Sequence, residues 1–331
     1  MSTGTETGTR TAARRARRRR RPFVRAGLAV LVVAAIVAGV LGYRDHSQPH
    51  GPLTSLPPSA GSYLGVYTKD LPASYGKVAS FRQATGTTPD LVMYYSGWYT
   101  PFPAKFATTV ADNGAAPLIQ IEPTDINLGQ IAAGHYDGYL SAYAEAVRAY
   151  RHPVILGFGH EMNGGWYSWG NGKTSPATFV AAWKHIVLLF RALGAHNVTW
   201  LWTANVINDT KTGTIPSPRA WWPGAAYVNW VGIDGYYLKS NWQFAPLFGG
   251  TIGVVRGFTA DPILIAETGA VTSADQPAKI ADLYHGIKSY GLLGFVYFNS
   301  TNSIGQAFGL DSQAAIDAFR KGAGTYHRPD S

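Results

Sequence analysis

The sequence contains no cysteine, and this absence removes two classes of structure at once. A chain without thiols forms no disulfide, and it offers no thiolate ligand for a structural zinc site. From residue 63 onward there is also no His-x3-His pair of the kind that binds metals in helices. We therefore expect no metal and no other cofactor, and a stability that rests on an ordinary hydrophobic core.

An excess of positive charge is nearly absent from most of the chain, although the formal net charge is +9. Residues 1–25 carry nine arginines and one glutamate, a net charge of +8, which leaves +1 for everything that follows. A protein that binds nucleic acid needs an excess of basic residues to neutralise phosphates. We therefore expect no nucleic-acid partner for the folded part of the chain.

An uncharged apolar run of eighteen residues, 26–43, follows the arginines and is just long enough to cross a bilayer. The positive-inside rule predicts a cytoplasmic tail at 1–25, a single-pass transmembrane signal anchor at 26–43, and the remaining chain outside the cell membrane. A cleaved Sec signal peptide, or a twin-arginine signal at 20–25, is the alternative and would give a secreted protein. Prolines punctuate residues 44–62, which we interpret as a linker.

Residues 63–324 alternate between short apolar runs and segments of helical periodicity. The runs are mostly continuous, as expected for parallel strands buried on both faces. No GxGxxG follows the first run, so an α/β fold of the (β/α)8 TIM barrel type fits better than a doubly wound dinucleotide-binding sheet. Helical periodicity is strongest at 136–150, 175–193 and 280–290. The eight predicted strands are 63–67, 91–95, 116–121, 154–159, 198–203, 229–234, 262–266 and 293–298.

Glutamates end two of these predicted strands. Residues 157–170 read GFGHEMNGGWYSWG and contain Glu161, and residues 262–269 read PILIAETG and contain Glu267. Catalytic groups of a (β/α)8 barrel lie at the carboxyl ends of its strands, so both side chains should face one mouth. Two carboxylates across a pocket suit glycosidic bond cleavage, in which one protonates the departing oxygen and the other attacks the sugar. The aromatic residues of the first stretch provide flat faces for sugar rings.

Four further polar or aromatic residues lie near the predicted strand ends. Asn163 shares the loop of Glu161, and we expect it to bind substrate. Trp98 either lines a sugar subsite or packs in the core, and Glu122 either binds sugar or pairs with a neighbouring cation. Asp234 is more consistent with a structural hydrogen-bond acceptor than with a catalyst.

The stretch HEMNGGWYSWG, with the downstream IAETG and with WVGIDGYY at 230–237, resembles glycoside hydrolase family 26, which includes many β-mannanases. The resemblance runs from about residue 63 to residue 304. It implies a retaining (β/α)8 hydrolase in which Glu161 is the acid/base and Glu267 is the nucleophile. The charge of Glu267 should keep Glu161 protonated at rest.

The same resemblance implies roles for three neighbouring side chains. His160 would contact the sugar or the nucleophile, Trp166 would stack beyond the scissile bond, and Tyr236 would hydrogen-bond the nucleophile. Members of the family usually place a tryptophan near the end of the eighth strand, beneath the sugar. Here residues 294–300 read GFVYFNS, so Tyr297 is the nearest candidate for that floor.

The expected activity is therefore endo-acting hydrolysis of a β-1,4-linked mannan, carried out by a monomer. Mixed-linkage β-glucan and β-xylan are the alternative substrates that the resemblance allows. An alternative from another class is a membrane-tethered barrel that binds carbohydrate without turnover.

Overall fold

The computed structural model describes residues 56–207, 209–210 and 213–325. Eight parallel strands close into a barrel in the order β1-β8-β7-β6-β5-β4-β3-β2. This confirms the predicted (β/α)8 architecture. The strands are β1 Tyr63–Thr68, β2 Leu91–Gly97, β3 Ala116–Glu122, β4 Val154–Phe158, β5 Val198–Asn205, β6 Trp230–Asp234, β7 Ile263–Thr268 and β8 Gly294–Asn299.

Helices surround the barrel and begin and end at recognisable signals. The longest starts after Ser175, whose hydroxyl accepts a hydrogen bond from the Thr178 N–H, and Pro176 occupies its first turn. The stretch after β5 holds a short hairpin, Asp209–Thr210 with Gly213–Thr214, and two 3-10 turns. The helices are α1 Gly76–Thr85, α2 Ala104–Asp112, α3 Leu128–Ala132, α4 Asp137–Tyr150, α5 Pro176–Ala192, α6 Gly250–Arg256, α7 Gln276–Ser289 and α8 Gln313–Ala323.

Two hydrophobic cores hold these layers together. The outer core lies between the strands and the helices, and the inner core fills the barrel with side chains such as Met93, Leu118 and Leu264. Strand residues alternate between the two cores because successive side chains point to opposite faces. The direction of the last side chain of a strand therefore follows from which of the preceding side chains point into the inner core and which into the outer core.

A polar layer caps the inner core just below the mouth. The Gln120 amide donates a 3.2 Å hydrogen bond to the Thr203 hydroxyl inside the barrel. Glycines on the neighbouring strands β4 and β6 make room, because a Cβ at Gly157 would lie 1.9 Å from the Gln120 side chain, and one at Gly232 would lie 2.3 Å from Thr203. This layer forms the base on which the polar residues of the mouth rest.

The opposite end of the barrel is closed by residues that the sequence assigned to the linker. The Leu56 N–H donates to the Thr199 hydroxyl at 3.0 Å, and the Leu56 side chain packs against the inner core. The Tyr63 hydroxyl donates to the Pro57 carbonyl at 2.7 Å. Residues 56–62 are therefore part of the barrel domain, because they cover its apolar lower end.

The predicted cytoplasmic tail, the signal anchor at 26–43 and most of the linker lie outside the described residues. Among the helices that the structure does describe, none combines the length and apolar character needed to cross a membrane.

Candidate active site

Glu161 follows β4 in an unusual backbone conformation. Its φ is 54° and that of Gly159 is 56°, both in the left-handed region. A residue with a side chain is less stable there by roughly 1–2 kcal/mol, so neighbouring strands must hold it in place. The Gly159 N–H donates to the Ile121 carbonyl of β3, and the Glu161 N–H donates to the Thr203 carbonyl of β5, each at 2.9 Å.

The carboxylate of Glu161 accepts two hydrogen bonds from N–H groups. The Trp166 indole donates at 2.7 Å, and the Asn205 amide, at the end of β5, donates at 2.5 Å. The indole reaches this position because Gly164 lacks a side chain, and a Cβ there would lie 2.3 Å from the ring. Trp166 is 49% exposed, so one part of its ring holds Glu161 while the rest is available to a ligand.

Asn163 lies beneath this pair and is fully buried. Its amide donates to the carbonyls of Asn205 and Pro216 at 2.9 and 3.2 Å, and its side-chain oxygen accepts the Asn205 N–H at 2.9 Å. These bonds to backbone groups place Asn205 against Glu161. The structure thus corrects the expectation that Asn163 binds substrate, because burial removes it from contact with a sugar.

Glu267 owes its inward direction to an irregularity in β7. Leu264 and Ala266 enter the inner core, so simple alternation would turn residue 267 outward. The pairing register of β7 shifts at this point against both neighbouring strands, after Ile265 on each side. An extra residue in one strand re-aims the next side chain, and the shift directs the carboxylate of Glu267 into the mouth.

Two phenol groups hold Glu267. The Tyr95 hydroxyl, on β2, donates at 2.5 Å, and the Tyr236 hydroxyl, just after β6, donates at 2.6 Å. The hydrogen bond from Tyr236 is the one that the family resemblance implied. Tyr95 was not anticipated, although Leu91 and Met93 precede it at the two-residue spacing of inward-facing positions.

Burial dominates the electrostatics of both carboxyls. Burial first and the negative charge of Glu161 second raise the pKa of Glu267 to about 8, although the hydrogen bonds from Tyr236 and Tyr95 oppose the rise. Burial also raises the pKa of Glu161, against hydrogen bonds from Asn205 and Trp166. Because each negative charge disfavours the other, the pair retains one shared proton near neutral pH.

His160 is buried beside this pair and is neutral, because burial lowers its pKa to about 3. Its Nε2 lies 3.1 Å from the Tyr167 hydroxyl, and its ring centroid lies 5.4 Å from that of Tyr95. Tyr167 in turn stacks on Trp169, whose indole donates to the His160 carbonyl at 2.8 Å. His160 therefore adjoins the residue that binds Glu267, and makes no direct hydrogen bond to Glu267 among the described contacts.

The structure corrects the assignment of Tyr297 as the floor of the site. Tyr297 is fully buried in the outer core, where it packs against Phe319 and accepts a hydrogen bond from Gln276. The next residue, Phe298, faces inward instead and packs edge-to-face with Tyr236 at 5.8 Å between ring centroids. Adjacent strand residues point to opposite faces, so Phe298 is the β8 aromatic residue at the mouth.

Trp98 and Glu122 lie on neighbouring strand ends, where the Trp98 N–H donates to the Glu122 carbonyl at 3.1 Å, but their side chains have different surroundings. Trp98 is half-buried in an aromatic cluster with Tyr136, Tyr139 and Phe158, on the outer side of β2 and β4, so packing rather than the carboxylate site explains its position. Glu122 ends β3 at the mouth, where burial raises its pKa. It forms no ion pair with any residue that the structure describes, which leaves its carboxylate available to a ligand.

Within residues 56–207, 209–210 and 213–325, no three histidine or acidic side chains are grouped as a metal site requires. Asp234 is fully buried beside Glu267, and burial raises its pKa well above the usual range. The negative charges of Glu267 and Glu161 add to this rise, so the site disfavours a third negative charge at Asp234.

Comparisons with known proteins agree with this geometry. Residues 130–280 match the profile of Glycosyl hydrolase family 26. The chain is 29% identical to Endoglucanase H of Acetivibrio thermocellus over 313 residues, 90% of this chain and 33% of the relative. It is also 29% identical, over 85 residues, to Mannan endo-1,4-beta-mannosidase A and B of Caldalkalibacillus mannanilyticus, which covers 24% of this chain and 15% of that protein. The chain thus spans about a third or less of these relatives.

Solved structures with the same fold include a modular endo-β-1,4-mannanase from Cellulomonas fimi. It matches with a TM-score of 0.63 at 14% identity, over 80% of this chain and 71% of that one. A GH26 β-mannanase from Bacteroides ovatus matches with a TM-score of 0.57 at 15% identity, over 80% of this chain and 89% of that one. At these identities the similarity shows the barrel fold.

Proposed function

We propose that this chain, which belongs to glycosyl hydrolase family 26, is a retaining, endo-acting glycoside hydrolase with Glu161 as acid/base and Glu267 as nucleophile. The observation that carries the proposal is the pair of buried carboxylates at the ends of β4 and β7. Each accepts two hydrogen bonds from its own set of donors, and in the described part of the chain neither forms an ion pair. A pair that shares one proton has the acid and the anion that double displacement requires.

In the first step, the Glu267 carboxylate attacks the anomeric carbon while Glu161 transfers its proton to the departing glycosidic oxygen. The carbon–oxygen bond to the leaving group breaks as the ester bond to Glu267 forms. Tyr95 and Tyr236 hold the attacking carboxylate in position. Hydrogen bonds from phenols stabilise an anion, so they favour the distribution in which the shared proton is on Glu161.

In the second step, water replaces the leaving group beside Glu161. Esterification of Glu267 removes its negative charge, which lowers the pKa of Glu161 and makes it a base. Glu161 takes one proton from the water, the water oxygen attacks the anomeric carbon, and the ester bond to Glu267 breaks. Two inversions give net retention of configuration.

The proposed substrate is a β-1,4-linked mannan. The resemblance of the Glu161 loop to β-mannanases supports this choice, as does the short match to a mannosidase. Trp166 is the proposed stacking surface for the sugar on the leaving-group side, because its indole binds the acid/base and half of it remains exposed.

A mixed-linkage β-glucan is the second candidate substrate. The relative that matches along 90% of this chain carries the name endoglucanase. The inward aromatic residue of β8 is also Phe298 rather than a tryptophan, so the surface beneath the sugar is smaller than the family usually provides.

We also propose that the enzyme works outside the cell, held by the apolar segment 26–43. The arginines of residues 1–25 support this orientation, because positive charge stays on the cytoplasmic side. Protease added to intact cells should release an active fragment by cutting before residue 56. Protection of the domain until lysis would contradict an external location.

The test of function is hydrolysis by the full-length chain in mild detergent. We expect reducing ends from mannan and glucomannan, early formation of mixed oligosaccharides as in endo cleavage, and a β-anomer as the first product by NMR. Release of reducing ends from mixed-linkage glucan alone would identify the second candidate as the substrate. Release of reducing ends from xylan alone would contradict both candidate substrates. An α-anomeric first product would exclude retention, and binding without release would support the non-catalytic alternative.

A further inference from the structure

The end of the barrel opposite the mouth carries half of the lysines and arginines of the described domain. The strands are parallel and run toward the mouth, so the helices that connect them run back and end on the opposite side. We call this side the base face, and define it as the last turns of α1, α2, α4, α5, α6, α7 and α8 with the segments that follow them. Its basic residues, all of them exposed, are Arg82, Arg148, Arg151, Arg191, Arg256, Lys288, Arg320 and Lys321.

Acidic residues are scarce on the base face. Asp112 ends α2, and Asp90 and Asp261 lie just before β2 and β7. The described residues contain sixteen basic and sixteen acidic side chains, so the domain as a whole has no formal net charge. The charge is therefore separated within the domain: positive at the base, and negative toward the mouth that holds Glu161 and Glu267.

Half of the base-face cations have a structural use. A guanidinium group carries five N–H donors, so an exposed arginine that binds a carbonyl keeps others for solvent or a ligand. The bonds also fix the group in place, which lowers the entropy lost when it binds something else. Four arginines donate to backbone carbonyls at neighbouring helix and strand ends: Arg148 to Leu193, Arg191 to Ala226, Arg256 to Asp261, and Arg320 to Ala84 and Thr85.

The remaining four base-face cations have no such use. Within residues 56–207, 209–210 and 213–325, the side chains of Arg82, Arg151, Lys288 and Lys321 make neither a hydrogen bond nor an ion pair, and the ion pair of the base-face cations is that of Arg320 with Asp317. Helix dipoles favour a cation at a helix end, but they do not distinguish arginine from lysine.

Arginine and lysine are nevertheless segregated in this domain. Six of the seven described arginines lie on the base face, whereas the cations near the mouth are lysines such as Lys105, Lys173 and Lys239. A guanidinium binds a phosphate with two parallel hydrogen bonds, which an ammonium does not. The composition of the base face therefore suits phosphate groups.

The arrangement of these cations favours a surface over a dissolved polymer. They come from six helices spaced around the closed lower end of the barrel, so they form a broad ring and not a groove that could follow one strand of a polyanion. A membrane of anionic phospholipids presents phosphates over a comparably broad area.

The chain also enters the domain on this side. Leu56 binds Thr199 at the lower end of the barrel, and residues 44–55 separate it from the predicted anchor at 26–43. Twelve residues span at most about 40 Å when fully extended. A tether of this length gives the domain a high effective concentration at the lipid surface, so contacts that are weak individually are sufficient.

We infer that the base face binds the anionic phospholipid headgroups of the membrane that holds the chain, and so directs the mouth away from the lipid toward the polysaccharide. The inference rests on the proposed location of the enzyme on a membrane. It extends that proposal, because a tether alone leaves the direction of the mouth free.

The test uses the full chain reconstituted into lipid vesicles through its N-terminal segment. Because the chain has no cysteine, one introduced thiol carries a fluorophore: Ala192→Cys on the base face, at the exposed end of α5, or Thr124→Cys near the mouth, after β3. Energy transfer to a headgroup-labelled lipid measures the approach of each face to the bilayer. We expect about threefold more transfer from the base label in vesicles with about one-third phosphatidylglycerol than in pure phosphatidylcholine, and loss of this difference between about 0.1 and about 0.5 M salt.

Two matched charge variants separate the base face from net charge. We expect the base variant to lower the ratio of bound to unbound base faces on the order of 100-fold, as for three lost contacts with an anionic surface, and the control to leave it unchanged. Both should unfold at the wild-type temperature, because none of the six side chains forms an ion pair in the described domain. The base variant is Arg151→Gln/Lys288→Gln/Lys321→Gln, and the control is Lys105→Gln/Lys173→Gln/Lys239→Gln.

Equal transfer from the base label in both kinds of vesicle, or equal losses in the two variants, would overturn the inference, because the tether or net charge would then explain the contact. Closer approach of the Thr124 label than of the Ala192 label would also contradict it. Binding of soluble inorganic polyphosphate without approach to the vesicles would identify a dissolved polyanion as the partner instead.

The proposed function and location can fail separately from this inference. None of these measurements requires turnover, so an inactive chain still tests the base face. Flotation of the chain with vesicles at high salt reports insertion of segment 26–43. If the chain does not float at high salt, the proposed anchor is wrong, and flotation with anionic vesicles at low salt then tests the base face alone.

Discussion

Glu161 and Glu267 end strands of the same barrel, but the donors that hold them differ in chemistry and in exposure. Glu267 accepts from two phenols, at the end of β2 and just after β6, whereas Glu161 accepts from two N–H groups, one of them on the exposed Trp166. A phenol is a stronger hydrogen-bond donor than an amide or an indole because it is more acidic. Burial raises the pKa of Glu267, and the phenol hydrogen bonds oppose that rise, so they favour the anion at Glu267 and the exchangeable proton at Glu161.

Removal of the nucleophile is expected to have the largest effect. Glu267→Ala leaves no carboxylate to form the ester, so kcat/KM should fall by about 10⁴-fold or more on every substrate. Added azide should restore turnover from the vacated side and give a glycosyl azide of inverted configuration, detectable by NMR. Retained configuration in that product would mean that Glu161 and Glu267 have exchanged roles.

Removal of the acid should lower the rate much more for substrates with poor leaving groups than for substrates with good ones. Glu161→Ala should lower kcat on polysaccharide by about 10²–10⁴-fold, because the departing oxygen receives no proton. A dinitrophenyl glycoside needs little protonation, so its first step should persist and release an initial burst of dinitrophenol. Azide should then yield product of retained configuration. An equal loss on both substrates would contradict the role of Glu161 as the acid.

Removal of a single hydroxyl group tests the role of the phenol donors. Tyr95→Phe removes a hydrogen bond that lowers the pKa of Glu267, so the shared proton should move toward the nucleophile. The acid limb of the kcat/KM profile should then shift to higher pH, with about tenfold lower activity below the optimum. Tyr94→Phe is the matched control, because the adjacent Tyr94 hydroxyl is buried in the outer core without a partner in the described chain. An unshifted profile in Tyr95→Phe would show that this bond does not control the proton.

Loss of the indole hydrogen bond should shift the alkaline limb of the pH profile instead of the acid limb, with a smaller change in activity. Trp166→Phe removes a hydrogen bond that lowers the pKa of Glu161, so Glu161 should keep its proton to higher pH. We expect the alkaline limb of the profile to shift upward and kcat to change by less than about threefold, with a rise in KM from the smaller stacking surface. A downward shift of that limb would contradict the assignment of the shared proton to Glu161.

Much of the fold was predictable because parallel strands and helices leave separate patterns. Continuous apolar runs marked the strands, and the three- and four-residue spacing marked helices such as α4, α5 and α7. Glu161 and Glu267 were predictable as a pair because strand ends converge on one mouth of a barrel. Nothing local in the sequence indicated that Asn205 binds Glu161.

The direction of side chains was less predictable. Strands that are apolar on both faces carry no in-and-out alternation, so the sequence did not distinguish Tyr297 from Phe298 as the residue at the mouth. For the same reason, the sequence did not identify Tyr95 as a residue that faces the mouth. Asn163 was misassigned because polar residues in loops are usually exposed, whereas this one is buried to bind the backbone of Asn205.

The sequence by itself determined the barrel and the two carboxylates at its strand ends, because these follow from periodicity and residue type along the chain. Only the tertiary structure decided which side chains reach the carboxylates. The register shift of β7 turns Glu267 inward, the left-handed backbone of Glu161 is held by β5, and the phenols arrive from strands distant in sequence. Such contacts depend on how neighbouring strands pair, and strand pairing is a property of the closed sheet.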